Sequence, residues 1–226
     1  MPSKRAHEPT NGRRLNRDRV VTVAVQLADE SGLEAVSMRT LADRLGVKAM
    51  SLYNHVRNKD DLVDAMVDAV YAEIDLPNAD GWRGAMRERA RSARAALRRH
   101  PWAIPLMESR TGPGPANLRH HDTVLGVLRG AGLSLHAATF AYSVIDSYVY
   151  GFALQEASLP FTTPEEMAAV AAAMVVHLPA DQYPHLRAAV VELPASGYRY
   201  ADEFDAGLDL VLDGLEQRLP LDPSVD

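Results

Sequence analysis

"SMRTLADRLGVKAMSLYNHVRNKDDLVDAMVDAVY", residues 37–71, breaks helical periodicity twice, at Gly46 and at Asn58. Ser37 is placed to cap a helix over 38–45 whose Leu41 and Leu45 share a face, and Gly46 can supply the left-handed residue that ends it. Ala42 is small enough for two helix backbones to approach, and Val47 can fill the corner between them. The spacing then predicts a third helix over about 48–56. Its Leu52 and Val56 lie one turn apart and face inward, which leaves Ser51, Tyr53, Asn54, His55 and Arg57 pointing outward. Asn58 caps a fourth helix, with Asp60 and Asp61 where the positive end of the helix dipole favours them and Leu62, Met66, Ala69 and Val70 as the inward stripe. Two short helices joined by a glycine turn satisfy a helix-turn-helix unit. The plain alternative is a helical hairpin used for packing alone.

Upstream, Val20, Val21, Ala24, Leu27 and Ala28 recur at helical spacing before Gly32, so a first helix is expected from Arg17 to Ser31. The net charge of -6 conceals an asymmetry: residues 1–59 carry 11 Lys and Arg against 6 Asp and Glu, whereas the remainder carries 13 against 24. A basic head on an acidic body suggests a polyanion partner for the head alone. There is no cysteine, which excludes disulfides, thiolate zinc sites and cysteine nucleophiles. The polar, basic start lacks the apolar centre of a secretory signal, and no apolar run approaches the roughly 20 residues that cross a bilayer. A cytoplasmic protein without membrane contact is expected.

The segment 37–71 resembles the DNA-binding domain of the TetR family of bacterial transcriptional regulators, through T-L-A-x-x-L-G-V in the second helix and its turn and S-L-Y-x-H-V-x-x-K from the third helix into the fourth. The resemblance implies an all-α chain: a three-helix head that binds an operator in double-stranded DNA, then a larger helical domain for a small-molecule effector and for homodimerisation. The expected division is a flexible basic arm over 1–14, the head over 15–75 and the body over 78–226. Lys48 is a donor for guanine O6 and N7, Asn54 can pair bidentately with adenine, and Ala49 or Met50 can touch a thymine methyl group. Ser51, Tyr53, His55 and Lys59 match the family's phosphate contacts, with Arg39 and Thr40 set against the backbone or groove edge. Arg13, Arg14, Arg17 and Arg19 are candidates for an arm that adds phosphate or minor-groove contacts, or that only keeps the terminus soluble.

In the body, residues 82–99 read as a helix whose Arg83, Arg87, Arg91, Arg94 and Arg98 form a stripe, expected as a solvated face. "TGPGP", 111–115, interrupts the pattern and is no phosphate loop, since its prolines lack N–H groups. A helix over about 115–130 follows, then a long one over 133–157 that is apolar nearly all round. Phe204, Leu208, Val211, Leu212 and Leu215 make a seam on the last helix, expected over 199–218. These two long helices, paired across a twofold axis, would form a four-helix dimer interface; the alternative is that they complete the protomer core. Candidates for an effector pocket are Trp102, Met107, Tyr142, Asp146, Tyr148, Tyr150 and Phe152, with Asn117 and His121 as polar groups.

The long helix also resembles that of the tetracycline repressors, more weakly. Leu106, Ser147 and Gln155 stand near the positions where those proteins supply histidine and glutamate around a magnesium-drug chelate. Neither a metal site nor tetracycline is therefore expected, and no cofactor is implied. The chain shows no H-E-x-x-H, no G-x-S-x-G and no G-x-G-x-x-G, so no enzyme is expected. The reading that competes with a ligand-released repressor is an all-helical ligand-binding or architectural protein without ligand-controlled operator binding.

Overall fold

The computed structural model describes residues 15–78 and 80–218, and the described residues are helical without a strand. The arm expected at 1–14 lies outside them. Among the described residues ten α-helices follow in order: α1 (Arg17–Ser31), α2 (Met38–Leu45), α3 (Ala49–Leu52), α4 (Lys59–Ala72), α5 (Trp82–Arg99), α6 (Pro115–Gly130), α7 (Leu135–Ser158), α8 (Pro164–Val175), α9 (Pro184–Ala195) and α10 (Glu203–Arg218). Short 3₁₀ turns occupy Leu33–Ala35, Pro101–Leu106 and Tyr200–Asp202. No described helix is long and apolar enough to cross a membrane.

The head forms around α1. Val20, Ala24, Leu27 and Ala28 of α1 pack with Val36, Leu41, Ala42, Leu52, Val56, Leu62 and Met66 in one buried cluster. Ser37 and Thr40 cap α2 reciprocally, and Gly46 adopts the left-handed conformation, φ 69°, so that the Val47 N–H reaches the Ala42 carbonyl at 3.0 Å. The helix expected over 48–56 is shorter than its spacing suggested. It ends at Leu52 and continues as a tight turn, because the N–H groups of His55 and Val56 both fold back onto the Leu52 carbonyl. That turn carries Val56 into the core and sets Asn58 as the cap of α4.

A second cluster forms the body, drawing on α4 through Val67, Val70 and Tyr71, on α5 and α6, on α7 and on α10. Two expectations are corrected here. The arginines of α5 are not a wholly solvated stripe, although Arg91 and Arg98 are more than half exposed. Arg83 pairs with Asp213 and, at 3.2 Å, with Glu216; Arg87 pairs with Asp209; Arg91 meets Asp205 at 2.8 Å. Arg94 lies over the rings of Phe152 and Phe204 and grips both oxygens of Glu156. The basic edge of α5 thus lies along the acidic edge of α10. The second correction concerns the dimer seam. Phe204, Leu208, Leu212 and Leu215 are buried within the protomer, and Val211 is half-buried against the same cluster, because this face of α10 turns toward α5 and α7. Leu210 on the opposite side is exposed.

The connector between head and body is α4, and the TGPGP segment straps it down. Arg110 donates to Asp64 at 2.5 Å, the Asn117 N–H donates to Asp68 at 2.9 Å, and Gly112 and Gly114 pass so close to these carboxylates that neither position has room for a Cβ. Past α7, helices α8 and α9 pack on each other, and neither contains a buried residue. Thr163 and Glu166 form the capping box of α8, and Arg187 donates to the Val175 and Leu178 carbonyls near its other end.

Candidate nucleic-acid interface and body cavity

The outward face of the head is built by fixing what lies behind it. Leu52 and Val56 are buried, so the chain between them must present Tyr53 and Asn54 to solvent. Lys48, Ala49, Met50, Asn54 and Lys59 are exposed, Met50 at 75% and Tyr53 at 48%, while Ser51 and His55 are half-buried. Lys48, Lys59 and Arg39 make no ion pair among the described residues, which leaves their charges unspent. Thr40 differs: its hydroxyl donates to the Ala35 carbonyl at 2.8 Å and accepts from the Ser37 N–H at 3.0 Å, so its proton is already committed to the cap.

Asp61 holds this surface in place. Its carboxylate accepts from both terminal nitrogens of Arg17, at 3.1 and 3.2 Å, from the Arg57 N–H at 2.8 Å and from the Arg57 guanidinium at 3.2 Å. Arg17 also donates to the His55 carbonyl at 2.9 Å, which ties α1 to the turn after α3. The Arg17 bond, followed by the Arg57 N–H, holds the Asp61 carboxyl well below the usual carboxylate range despite its burial. Sequence reasoning assigned Arg17 to the arm and Asp61 to the helix dipole. The four-residue spacing of Arg57 and Asp61 was the available signal for half of this node.

In the body, a cavity of about 370 Å³ brings together His121, Tyr142, Asp146 and Tyr150 with Glu108, Leu125, Thr139, Ser143 and Ser147. The rings of His121 and Tyr142 meet edge to face at 5.0 Å. The Tyr142 hydroxyl is buried and has no hydrogen-bond partner among the described residues, whereas the Tyr150 hydroxyl donates to Asp146 at 3.3 Å. Behind this wall Asp146 pairs with Arg89, and the Arg89 Nε–H donates to His120 Nε2 at 2.8 Å. Burial first, and then the charge of Arg89, push the His120 imidazole down to about 3, so it is neutral with its proton on Nδ1. Burial raises Tyr142 and Tyr150 above the ordinary phenol value, and both stay protonated. The wall thus combines the protonated Tyr142 and Tyr150 hydroxyls with the internally compensated Arg89–Asp146 pair behind them, and Glu108 adds an exposed carboxyl group. Arg89 and His120 were missed by sequence reasoning, because arginine at helical spacing reads as surface.

The other five pocket candidates lie elsewhere. Met107 is buried with its carbonyl accepting from Tyr71 at 3.2 Å, and Asn117 opens α6 against α4. Tyr148 donates to the Phe204 carbonyl at 2.8 Å, and Phe152 stacks on Tyr200 at 4.5 Å, both on the α10 side. Trp102 packs against both the head and the body clusters, and its Nε1–H donates to Asp29 of α1 at 2.7 Å. A second cavity, of about 250 Å³, opens where the α8 and α9 hairpin leaves the body, between Phe161, Tyr198, Tyr200 and Arg98.

Two segments of the chain match known families. Residues 20–66 match the family described as bacterial regulatory proteins, tetR family, and residues 75–219 match the tetracyclin repressor-like, C-terminal domain. The chain is 37% identical to the HTH-type transcriptional repressor DrrR1 of Streptomyces coeruleorubidus, over 89% of this chain and 77% of that protein. It is 32% identical to the class A tetracycline repressor protein from transposon 1721 of Escherichia coli, over 91% and 92%. Among solved structures, the Streptomyces coelicolor TetR family protein ActR in complex with actinorhodin superposes with a TM-score of 0.73 at 29% identity, covering 90% of this chain and 98% of that one.

Proposed function

We propose, from the premise that this chain belongs to the tetR family of bacterial regulatory proteins, that it is a repressor released from a near-palindromic operator by a small organic effector. Members of that family are DNA-binding transcription factors, and the chain is accordingly a regulator of transcription and not an enzyme. Residues 15–75 act as the DNA-binding head and residues 78–218 as the effector-binding and dimerising body. The observation that carries the reading is the exposed face of α3 and its turn, where Lys48, Ala49, Met50 and Asn54 stand clear of a backing locked by Leu52, Val56 and Asp61. These four read base edges from the major groove, while Arg39, Ser51, Tyr53, His55 and Lys59 hold phosphates. Thr40 contributes by capping α2.

A single short helix grips too little DNA, so two heads are needed, on major-groove faces about 34 to 36 Å apart. The support for a dimer surface comes from the exposed side of α7 and α10. Phe140, Ser147 and Leu154 lie seven residues apart on α7, and Leu210 stands out from α10. These residues take the place of the buried seam expected from sequence. The effector occupies the cavity at Tyr142, whose hydroxyl has no partner among the described residues and can bond a ligand. ActR, solved with actinorhodin, provides a related fold holding an organic ligand, and the same use is proposed here. An effector that prefers another packing of the wall shifts α4 through its strap and alters the spacing of the heads. The coupling equals its difference in affinity for the two states, commonly about 1 to 3 kcal/mol.

Selection of bound fragments from random duplex DNA by the full chain tests the reading. Enrichment of one inverted repeat is expected; recovery of unrelated sequences, or of none, would overturn it.

A further inference from the structure

The head is fastened to the body at one buried imidazole. His100, at the end of α5, is 6% exposed, and both of its ring nitrogens face carboxylates: Nδ1 lies 2.7 Å from Asp29 of α1, and Nε2 lies 3.1 Å from Glu73 at the end of α4. Among the described residues, the charged and polar groups recorded around this ring come from four elements. From α1 it is Asp29; from α4 it is Glu73; from α5 it is Arg99, which itself grips Glu73 through Nε at 3.0 Å and Nη2 at 2.7 Å. From the 3₁₀ turn it is Trp102, edge-on to the ring at 6.2 Å and donating to the same Asp29 oxygen as His100.

A neutral imidazole has one N–H and can donate to only one of two carboxylates. Donation to both requires both ring nitrogens to carry protons. Asp29 belongs to the head, Glu73 to the connector, and His100 to the body. We infer that this bridge is a proton-operated latch: with both nitrogens protonated, His100 holds the head and the connector against the body, and the loss of one proton releases one of the two carboxylates. Trp102 keeps its bond to Asp29 and Arg99 keeps its bond to Glu73, so the opened state is loosened rather than detached. The head then samples a wider range of orientations, and shifts in the body reach it less faithfully. The inference rests on the division into DNA-binding head and effector body proposed above. Its test needs neither DNA nor effector, so failure of the latch leaves operator selection standing, and the converse also holds.

Because the chain contains no cysteine, Asp43→Cys in the head and Asp122→Cys in the body give two unique, exposed labelling sites on the full-length protein. Labelled chain diluted into excess unlabelled chain yields the intrachain distance distribution by energy transfer, recorded over about pH 5 to 8, while imidazole nitrogen resonances follow His100 itself. The distribution is expected to widen about twofold as His100 loses its proton. His100→Gln should be wide at every pH, and Glu73→Gln, which removes a negative partner, should move the transition to lower pH. A distribution that stays constant while His100 deprotonates would overturn the latch. So would a pH response that persists in His100→Gln or an unmoved transition in Glu73→Gln. A histidine that serves packing alone changes stability on substitution without producing this pH-dependent width.

Discussion

Arg89 and Asp146 meet inside the body as an ion pair, one from α5 and the other from α7, with almost no access to solvent. Burial disfavours the guanidinium, but the Asp146 carboxylate more than compensates and keeps it charged. Such a pair is costly to break and cheap to replace whole. Removing one partner strands the other charge in an apolar surrounding, so we expect Asp146→Ala to lower stability by about 3 to 5 kcal/mol. Replacing both, Arg89→Met with Asp146→Leu, should recover most of that loss. Chemical denaturation of the wild type, Arg89→Met, Asp146→Leu and the double variant measures the coupling. Additive losses would mean that the two side chains do not depend on each other.

His120 carries the pH dependence of the same wall. Its folded value of about 3 lies below the ordinary imidazole value, because the native site holds it neutral between burial and the Arg89 charge. Below pH ~6.5 the unfolded chain takes up this proton and the folded chain does not, so stability is full above that point and falls as pH drops toward the folded value. In His120→Gln the amide oxygen can still accept from Arg89 Nε–H, but the group no longer titrates. The decline of unfolding free energy with acid should be shallower in this variant by about 1.4 kcal/mol per pH unit within the window. Parallel curves would show that His120 is protonated in the native state.

The strap over α4 makes a prediction of its own. A Cβ at Gly114 would fall inside the contact distance of the Asp68 carboxylate, which is not free to swing because it accepts the Asn117 N–H at 2.9 Å. Gly114→Ala should therefore cost about 1 to 3 kcal/mol, the range for overpacking a filled site. Asp68→Ala opens that space, so the same Gly114→Ala change should cost clearly less in its background. Thermal unfolding of the two single variants and the double variant tests this. An equal cost in both backgrounds would place the strap away from α4.

Much of this architecture was legible in the sequence, and the omissions share a cause. Periodicity located α1, α2, α5, α6 and α7 to within about two residues, and the caps at Ser37 and Asn58 act as read. Spacing within one helix tells which residues share a face, but not which other helix that face meets. The arginines of α5 and the acids of α10 each look like a solvated edge until Arg91 and Asp205 are found 2.8 Å apart. Leu208 and Leu212 look equally suited to a partner subunit and to the protomer core, and the structure places them in the core. Arg17 and Asp61 are 44 residues apart, beyond the reach of any local pattern. In the pocket, Tyr148 and Asp146 are neighbours on α7 that point in different directions, so a stretch of aromatic residues marked the right helix without marking the right side of it.

On the head, the two classes of contact differ in what their loss should do. Asn54 stands exposed in the turn that follows α3, positioned by the buried Leu52 and Val56, and its proposed bond is to a base edge. Asn54→Ala should weaken the preferred operator by about 1 to 3 kcal/mol and relax discrimination at one base pair in each half-site, leaving binding to random DNA nearly unchanged. Lys59 opens α4 and makes no ion pair among the described residues, so Lys59→Ala should weaken all duplexes alike and reduce the slope of log affinity against log salt by about 1 per subunit. Titrations of operator and random duplexes at several salt concentrations separate the two effects. The assignment of α3 as the reading helix fails if Asn54→Ala loses operator and random DNA equally, because a uniform loss is the mark of a phosphate contact.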